Sequence, residues 1–206
     1  MKLHYPIRTL FVTALLTIPT LPSAAQFLAG PIHNPTNGHD YYLTVQTIWT
    51  VAEADAISIG GHLTTINDAT ENWWVFNNFS SYGGINRNLW VGLTDTQQSG
   101  QFTWVSGEPT TYLNWASPEP NYIGDEHYVY MYCGGLPYPR EAGSWNNYTD
   151  DSNLGGGWGG GSLGPVCGVV EIVPEPTSLG LAVLGLVTSL CMRHRGQIMR
   201  MQRSQR

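Results

Sequence analysis

Basic side chains are nearly absent from the middle of this 206-residue chain. Of its nine lysine and arginine residues, only Arg87 and Arg140 lie within residues 26–173, and the same stretch holds 14 acidic residues. Two positive and 14 negative side chains give it a formal charge of −12, against −6 for the whole chain. A surface of this charge repels nucleic acid and anionic membranes, and it suits a divalent cation. Most of these acids can serve solubility alone.

Catalytic motifs and paired cysteines are missing as well. The chain has no His-Glu-x-x-His motif and no Cys-x-x-Cys pair, so we expect no enzyme. Its three cysteines are Cys133, Cys167 and Cys191. Whether Cys133 and Cys167 pair in an oxidising compartment stays open, because the geometry of the folded chain decides it. We interpret His62 and His127 as structural.

The first 25 residues have the pattern of a secretory signal peptide. Lys2 and Arg8 form a basic start, residues 10–21 are mostly apolar, and residues 23–25 (Ser-Ala-Ala) offer a small-residue cleavage site. A buried first helix is the alternative, but the position and the basic flank favour secretion. We therefore predict that residues 1–25 are removed on export.

Residues 26–173 have the size of one domain, with two helices followed by strands. Thr50 with Glu53, and Asp68 with Glu71, have the spacing of helix-capping pairs. Short aromatic and β-branched runs then predict strands at 89–93, 102–105, 127–132 and 166–172. Helices first and strands later indicate an α+β fold.

Two long loops separate the predicted strands. Residues 106–125 contain three prolines and few regular signals, which is typical of a functional loop. Residues 153–165 are rich in glycine around Trp158, and we predict a mobile insertion there. Stacking of Trp158 on a sugar is an alternative role for this segment.

A Glu-Pro-Asn tripeptide at residues 119–121 begins five residues after Asn114. Glu126 follows it, and then Trp-Asn-Asn at residues 145–147. Ca²⁺ takes six to eight oxygen ligands in proteins, and Asp, Glu and Asn side chains supply them. The three pieces in this order predict a hard-cation site. Polar loop residues that only form turns are the alternative.

Several segments resemble the C-type lectin-like domain, in order, over residues 38–172. They are Gly-Gly-His-Leu-Thr-Thr-Ile at 60–66, Leu-Trp-Val-Gly-Leu-Thr-Asp at 89–95, Gly-Gln-Phe-Thr-Trp-Val-Ser-Gly at 100–107, Tyr-Leu-Asn-Trp at 112–115, the Glu-Pro-Asn and Trp-Asn-Asn elements, and Val-Cys-Gly-Val-Val-Glu at 166–171. The resemblance implies two helices, short antiparallel sheets and a long-loop binding region.

The resemblance also implies a Ca²⁺ site that binds sugar. The implied metal ligands are Glu119, Asn121, Glu126 and Asn146, with Asn147 as the fifth. In the family, two vicinal sugar hydroxyls complete the calcium shell, and the first four side chains also hydrogen-bond those hydroxyls. The Glu-Pro-Asn form implies mannose-type rather than galactose-type ligands, and it implies a cis peptide bond before Pro120.

The chain departs from the family at the metal sites. Asn147 stands where the family usually has Asp, which lowers the ligand charge, and charge is a main determinant of affinity in such sites. Asp125, Asp150 or Asp151 could compensate. An auxiliary calcium site is expected to be poor, because Asp95 matches the family but other acidic positions do not. Those positions are Ser99, Tyr122 and His127.

The cysteines depart from the family as well. Cys167 matches one of the positions used by the family's usual disulfide bridges. The partner positions are held by Ala56, Tyr128 and Asp150.

The C-terminal residues 174–206 resemble a PEP-CTERM sorting signal of bacterial surface proteins. A Pro-Glu-Pro motif at 174–176 is followed by an apolar run at 179–192 and an arginine-rich end. The resemblance implies that this segment holds the precursor in the inner membrane until an exosortase-type sorting peptidase cleaves near the motif. A plain C-terminal transmembrane anchor is the alternative, although a spanning helix needs about 20 apolar residues.

These features together predict a secreted or surface-sorted protein that binds carbohydrate with calcium. The mature form is expected at the cell surface or in the extracellular matrix. The alternative is a calcium-independent structural or protein-interaction module, because one fold hosts many functions.

Overall fold

A computed structural model of the chain describes residues 26–121, 124–134, 142–151, 153–155 and 162–174. The predicted signal peptide lies outside these ranges, as do Trp158 and residues 175–206 of the predicted sorting segment. No helix among the described residues is long and apolar enough to cross a membrane.

The two predicted helices are present, as α1 (Trp49–Ser58) and α2 (Ala69–Phe79). Asp68 caps α2, since its side chain accepts a hydrogen bond of 2.9 Å from the Glu71 backbone N–H, as predicted.

The predicted capping pair at α1 is wrong. Thr50 lies inside the helix, and its backbone N–H (3.1 Å) and hydroxyl (2.6 Å) both donate to the carboxylate of Asp150. Glu53 serves a different element, because its Oε2 accepts from the Leu63 backbone N–H at 2.8 Å. A distant carboxylate therefore takes the capping role that the local spacing assigned to Thr50.

The four predicted strands are present, with shifted ends, and five further strands accompany them. In chain order, the strands are β1 (Phe27–His33), β2 (Asp40–Gln46), β3 (His62–Leu63), β4 (Asn88–Thr94), β5 (Thr103–Trp104), β6 (Tyr128–Met131), β7 (Trp145–Tyr148), β8 (Asn153–Gly155) and β9 (Ser162–Ile172). The Trp-Asn-Asn element forms β7, as the resemblance implied.

The strands form a mixed sheet in the order β1-β2-β9-β4-β6-β7. β9 also pairs with β3 and β8, and β4 also pairs with β5. Among the described pairs, only β4 with β9 is parallel, which corrects the expectation of purely antiparallel sheets. The α+β class is confirmed, and β9 pairs with four of the other described strands: β2, β3, β4 and β8.

The glycine-rich stretch is more ordered at its ends than the prediction of a mobile insertion allows. Asn153 pairs with Pro165, and Gly155 pairs with Ser162, so the two ends form an antiparallel ladder. The backbone pairing supplies order that the side-chain composition of the segment does not indicate.

Aromatic side chains fill the core beneath the strand that carries the Trp-Asn-Asn element. Trp145 is fully buried, its ring centroid lies 5.8 Å from that of Trp104, and its Nε1–H donates to Asn72 Oδ1 at 2.8 Å. Because a buried indole needs both packing and a partner for its N–H, these contacts fix the start of β7 against α2.

The open question about a disulfide is answered, because Cys133 and Cys167 are both free. Burial raises the pKa of the Cys167 thiol to about 11, although the Arg87 guanidinium acts in the opposite direction. Cys167 is therefore an unreactive core residue at neutral pH.

Candidate functional site

Strands β6 and β7 bring the predicted site residues of the second half together. In the antiparallel register, Asn147 lies opposite Val129 and Asn146 lies opposite Tyr130. Asn146 is 8% exposed and Asn147 is fully buried. Both asparagines therefore belong to the sheet, in contrast with the alternative that they are polar loop residues.

The loop that leads to the Glu-Pro-Asn tripeptide is attached to β7 through its backbone. Trp145 N–H donates to Asn114 O at 2.7 Å, and Ala116 N–H donates to Trp145 O at 2.9 Å. Glu119 N–H then donates to Ala116 O at 2.6 Å, which closes a turn. Glu119 is thus carried close to the start of β7, and it is only 8% exposed.

The peptide bond between Glu119 and Pro120 is cis, which confirms the implied geometry of the tripeptide. Asn121 is half-buried and is the last described residue before Gly124. Tyr122, one of the auxiliary-site positions, falls in the gap.

Hydrogen bonds fix the orientation of both buried amides. Asn147 Nδ2 donates to the backbone carbonyl of Glu126 at 3.0 Å. This bond joins β7 to the residue that directly follows the long loop. Asn146 Nδ2 donates to the hydroxyl of Tyr130 at 3.2 Å. Burial raises the pKa of Tyr130 well above its ordinary value, so this hydroxyl stays neutral. Because both NH₂ groups donate in this way, the Oδ1 atoms of Asn146 and Asn147 point away from these two partners.

The oxygens of these residues have the character of unsatisfied ligands. Oδ1 of Asn146 and Oδ1 of Asn147 are buried and accept no hydrogen bond from the described residues. Oε2 of Glu119 and Oε2 of Glu126 are also buried without a hydrogen bond, although both residues make other interactions. A buried acceptor left unpaired costs about 1–3 kcal/mol, so such atoms are rare in folded proteins. The donor set therefore fits a hard cation, which takes carboxylate and amide oxygens.

The ligand set carries little charge. The described residues contain no group of three or more His, Cys, Asp and Glu side chains that could hold a metal. The predicted set has only two such residues, Glu119 and Glu126, and its other members are asparagines. We expect a weaker site than one with three carboxylates.

The acids that could compensate for Asn147 are placed differently. Asp150 uses both carboxylate oxygens on Thr50, at the beginning of α1. Asp125 is exposed. Neither geometry indicates a further ligand for the predicted site.

The auxiliary calcium site is replaced by an internal pair. Asp95 is 1% exposed, its Oδ1 lies 2.8 Å from His127 Nδ1, and its Oδ2 accepts from Gly100 N–H at 2.7 Å. His62 Nδ1 lies 2.6 Å from Glu53 Oε1. Both histidines are therefore structural, as predicted.

One contact at the site and one serine motif outside it were missed from the sequence. Tyr130 orients Asn146, and only the strand register, which places the two opposite each other, could have indicated it. Residues 160–164 (Gly-Gly-Ser-Leu-Gly) have the spacing of a serine nucleophile motif. That motif requires a strand-to-helix turn at the serine, whereas Ser162 begins strand β9, so it does not indicate a hydrolase.

The comparisons with known proteins agree with this geometry. The family described as "Lectin C-type domain" matches residues 45–155. Lectin BRA-3 of Megabalanus rosa is 31% identical over 120 residues, which cover 57% of this chain and 67% of that protein. C-type lectin domain family 17, member A, of Homo sapiens is 34% identical over 116 residues, 56% of this chain but only 28% of that protein.

The likeness to solved structures supports the fold alone. The EPNH mutant of CEL-I, a C-type lectin from Cucumaria echinata, matches with a TM-score of 0.55 and 22% identity, covering 76% of this chain and 100% of that one. Members of this family are generally carbohydrate-binding proteins rather than enzymes, as expected from the absence of the metalloprotease and paired-cysteine motifs. The chain belongs to the C-type lectin domain family.

Proposed function

We propose that this protein binds carbohydrate through a calcium ion, with a preference for mannose-type ligands. The ion would be held by the predicted ligand set: Glu119, Asn121, Glu126, Asn146 and Asn147. The observation that carries the proposal is the pair of buried, oriented amide oxygens on Asn146 and Asn147, which accept no hydrogen bond from the described residues. When bound, calcium would offer open coordination positions to two neighbouring sugar hydroxyls.

The side chains around the ion would select the sugar by the order of donors and acceptors. A carboxylate such as Glu119 only accepts hydrogen bonds, whereas the amide of Asn121 also donates. This order suits equatorial vicinal hydroxyls of the mannose type. The 31% identity to a protein named a lectin supports the carbohydrate class.

We expect modest affinity for both ligands. Extracellular calcium modules bind with a Kd of about 10⁻⁴–10⁻³ M, and a set with two carboxylates belongs at the weak end. A single sugar makes few contacts on an open surface. Multivalent glycans should bind more tightly, because the linked sugars raise the effective concentration.

Calorimetric titration of Ca²⁺ into the protein tests the metal site. We expect a saturable heat at about millimolar calcium, its loss in Glu119→Gln, and its retention in Glu108→Gln. Glu108 is a suitable control because it is also a hydrogen-bonded glutamate, with Asn67, but lies outside the ligand set. Absence of any heat from the wild-type protein at about tenfold higher calcium would contradict the proposal.

A calcium-independent interaction module is the second candidate. It is favoured by Asn147, which lowers the ligand charge and already bonds to Glu126 within the protein. The two candidates differ in one respect that can be measured: a lectin of the proposed kind loses its ligand in a chelator, and the interaction module does not.

We also propose that the protein is exported and trimmed at both ends. The precursor would lose residues 1–25, and an exosortase-type peptidase would cleave near the Pro-Glu-Pro motif at 174–176. The basic start, the small-residue cleavage site and the basic-flanked apolar tail support this. Intact-mass measurement on protein from its native host tests it, and a main species that keeps residues 179–206 would indicate a permanent anchor.

A further inference from the structure

Asn147 makes a hydrogen bond that an aspartate cannot make. Its Nδ2 donates to the backbone carbonyl of Glu126 at 3.0 Å, and the residue is fully buried. An ionised carboxylate has only acceptors, so an aspartate here would place an oxygen against the carbonyl oxygen of Glu126. The amide therefore forms a protein-internal link between β7 and the end of the long loop.

A second link holds the next residue of the loop. The backbone carbonyl of His127 accepts from the Thr94 hydroxyl at 2.7 Å and from the Asp95 N–H at 3.3 Å. Two successive carbonyls, those of Glu126 and His127, are thus held from opposite sides, by β7 and by β4. None of these bonds involves a cation.

We propose that Asn147 is a positioning residue, which holds Glu126 in its ligand position before the metal binds. The consequence for calcium rests on the proposed function, but the link itself is a property of the metal-free protein. Asn147 lacks the charge that an aspartate would offer to the ion. Because its hydrogen bond already orders the loop, less conformational freedom is lost when the ion binds, and this loss is a main cost of binding.

Replacing the amide by a carboxylate should make folding depend on calcium. In Asn147→Asp, the metal-free protein would bury an unpaired charge beside a carbonyl oxygen, and this is strongly unfavourable. Calcium would neutralise that charge. The wild-type protein has no such charge, so its fold and its loop should change little when calcium is removed.

Hydrogen exchange and thermal unfolding, each with chelator and with excess calcium, test the proposal. The amide to follow is Asp95 N–H, because it donates to the His127 carbonyl. In chelator, this amide should be protected in the wild type, and in Asn147→Asp it should exchange faster by about tenfold, the factor that corresponds to about 1.4 kcal/mol. The Tm of Asn147→Asp should fall in chelator and recover with calcium.

Asn78→Asp is the matched control. Asn78 Nδ2 also donates to a backbone carbonyl, that of Trp74 at 2.8 Å, but within α2. This variant should lower the Tm equally in both conditions and leave the Asp95 amide protected.

Exchange of the Asp95 amide in the wild-type protein settles the question even if Asn147→Asp does not fold. Protection in chelator supports the proposal, and rapid exchange that only calcium suppresses overturns it. Equal stability and protection of Asn147→Asp and wild type in chelator would also overturn it. If the wild-type protein binds no calcium yet keeps the protection of the Asp95 amide that Asn147→Asp loses, the positioning role stands and the calcium proposal fails.

Discussion

The count of donors around Tyr41 indicates that one carboxyl group in the core carries a proton. The Tyr41 hydroxyl lies 2.8 Å from Glu71 Oε1 and 2.9 Å from Glu171 Oε1, and it accepts from Asn37 Nδ2 at 2.8 Å. A hydroxyl has one proton and donates to only one carboxylate, so the other contact requires a proton on a carboxyl group. Burial raises the pKa of Glu71, although the hydrogen bonds from Asn67 and Tyr41 act in the opposite direction, and we predict that Glu71 is the group that carries this proton.

This proton predicts a stability that falls as the pH rises. The folded protein holds the proton to a higher pH than the unfolded chain. The contribution of Glu71 to the free energy of unfolding is therefore greatest below its ordinary pKa of about 4.5. It is lost as the pH rises through the raised pKa of Glu71. The neighbouring acids Glu171 and Asp68 raise this pKa further, and His39 lies on the far side, 2.6 Å from Glu171 Oε1.

Glu71→Gln should remove this dependence, because a glutamine imitates the protonated acid. Its NH₂ would face Asn37 Nδ2, which donates to Glu71 Oε1 at 3.0 Å, so the slope with pH tests the assignment and the absolute stability does not. We expect a flatter plot of urea-unfolding free energy against pH above about 4.5 than for the wild type. Glu108→Gln serves as the control and should keep the wild-type slope. Parallel plots for Glu71→Gln and wild type would contradict the assignment of the proton.

Single residues show where prediction from the sequence succeeds and where it stops. The sequence predicted that Asn146 and Asn147 lie on a strand, which the structure confirms, whereas their role as metal ligands stays a prediction. The roles of Asn147 and Glu71 depend on partners distant in the chain, such as Glu126 and Glu171. No local pattern indicates those partners, since strand register decides which groups meet.

At the scale of the elements, local signals were reliable where both partners lie within one turn. The cap of α2 joins Asp68 and Glu71, three residues apart, and it was predicted. The cap of α1 joins Thr50 to Asp150, 100 residues away, and it was not. Strand β1 was missed because Gly30-Pro31 interrupts it, and proline is compatible only with an edge strand, which is where β1 lies.

The contact between Asp150 and Thr50 should stabilise α1 as a helix cap does. Asp150→Ala should lower the free energy of unfolding by about 1 kcal/mol. Asp150→Asn should lose less, since its amide oxygen can still accept from the Thr50 N–H. Urea unfolding of both variants measures the difference. Equal losses for alanine and asparagine would show that charge, rather than capping, gives this contact its effect.

For the whole molecule, the long C-terminal strand and the acidic surface explain how the site is presented. β9 pairs with strands from both ends of the chain, so the sheet is a stable base for the loop that carries Glu119 and Asn121. The formal charge of −12 over residues 26–173 favours a cation nearby and is unfavourable for nucleic-acid binding. The order of the motifs predicts this arrangement, in which the sheet supports a long loop.

The central claim is that one calcium ion connects this protein to a sugar. A glycan array, probed with calcium and again with excess chelator, tests it most directly. We predict binding to multivalent mannose-type glycans in calcium, loss of that binding in chelator, and loss in Glu119→Gln but not in Glu108→Gln. Binding that survives chelation would contradict the account, and so would the absence of any bound glycan when the protein is folded and calcium-loaded.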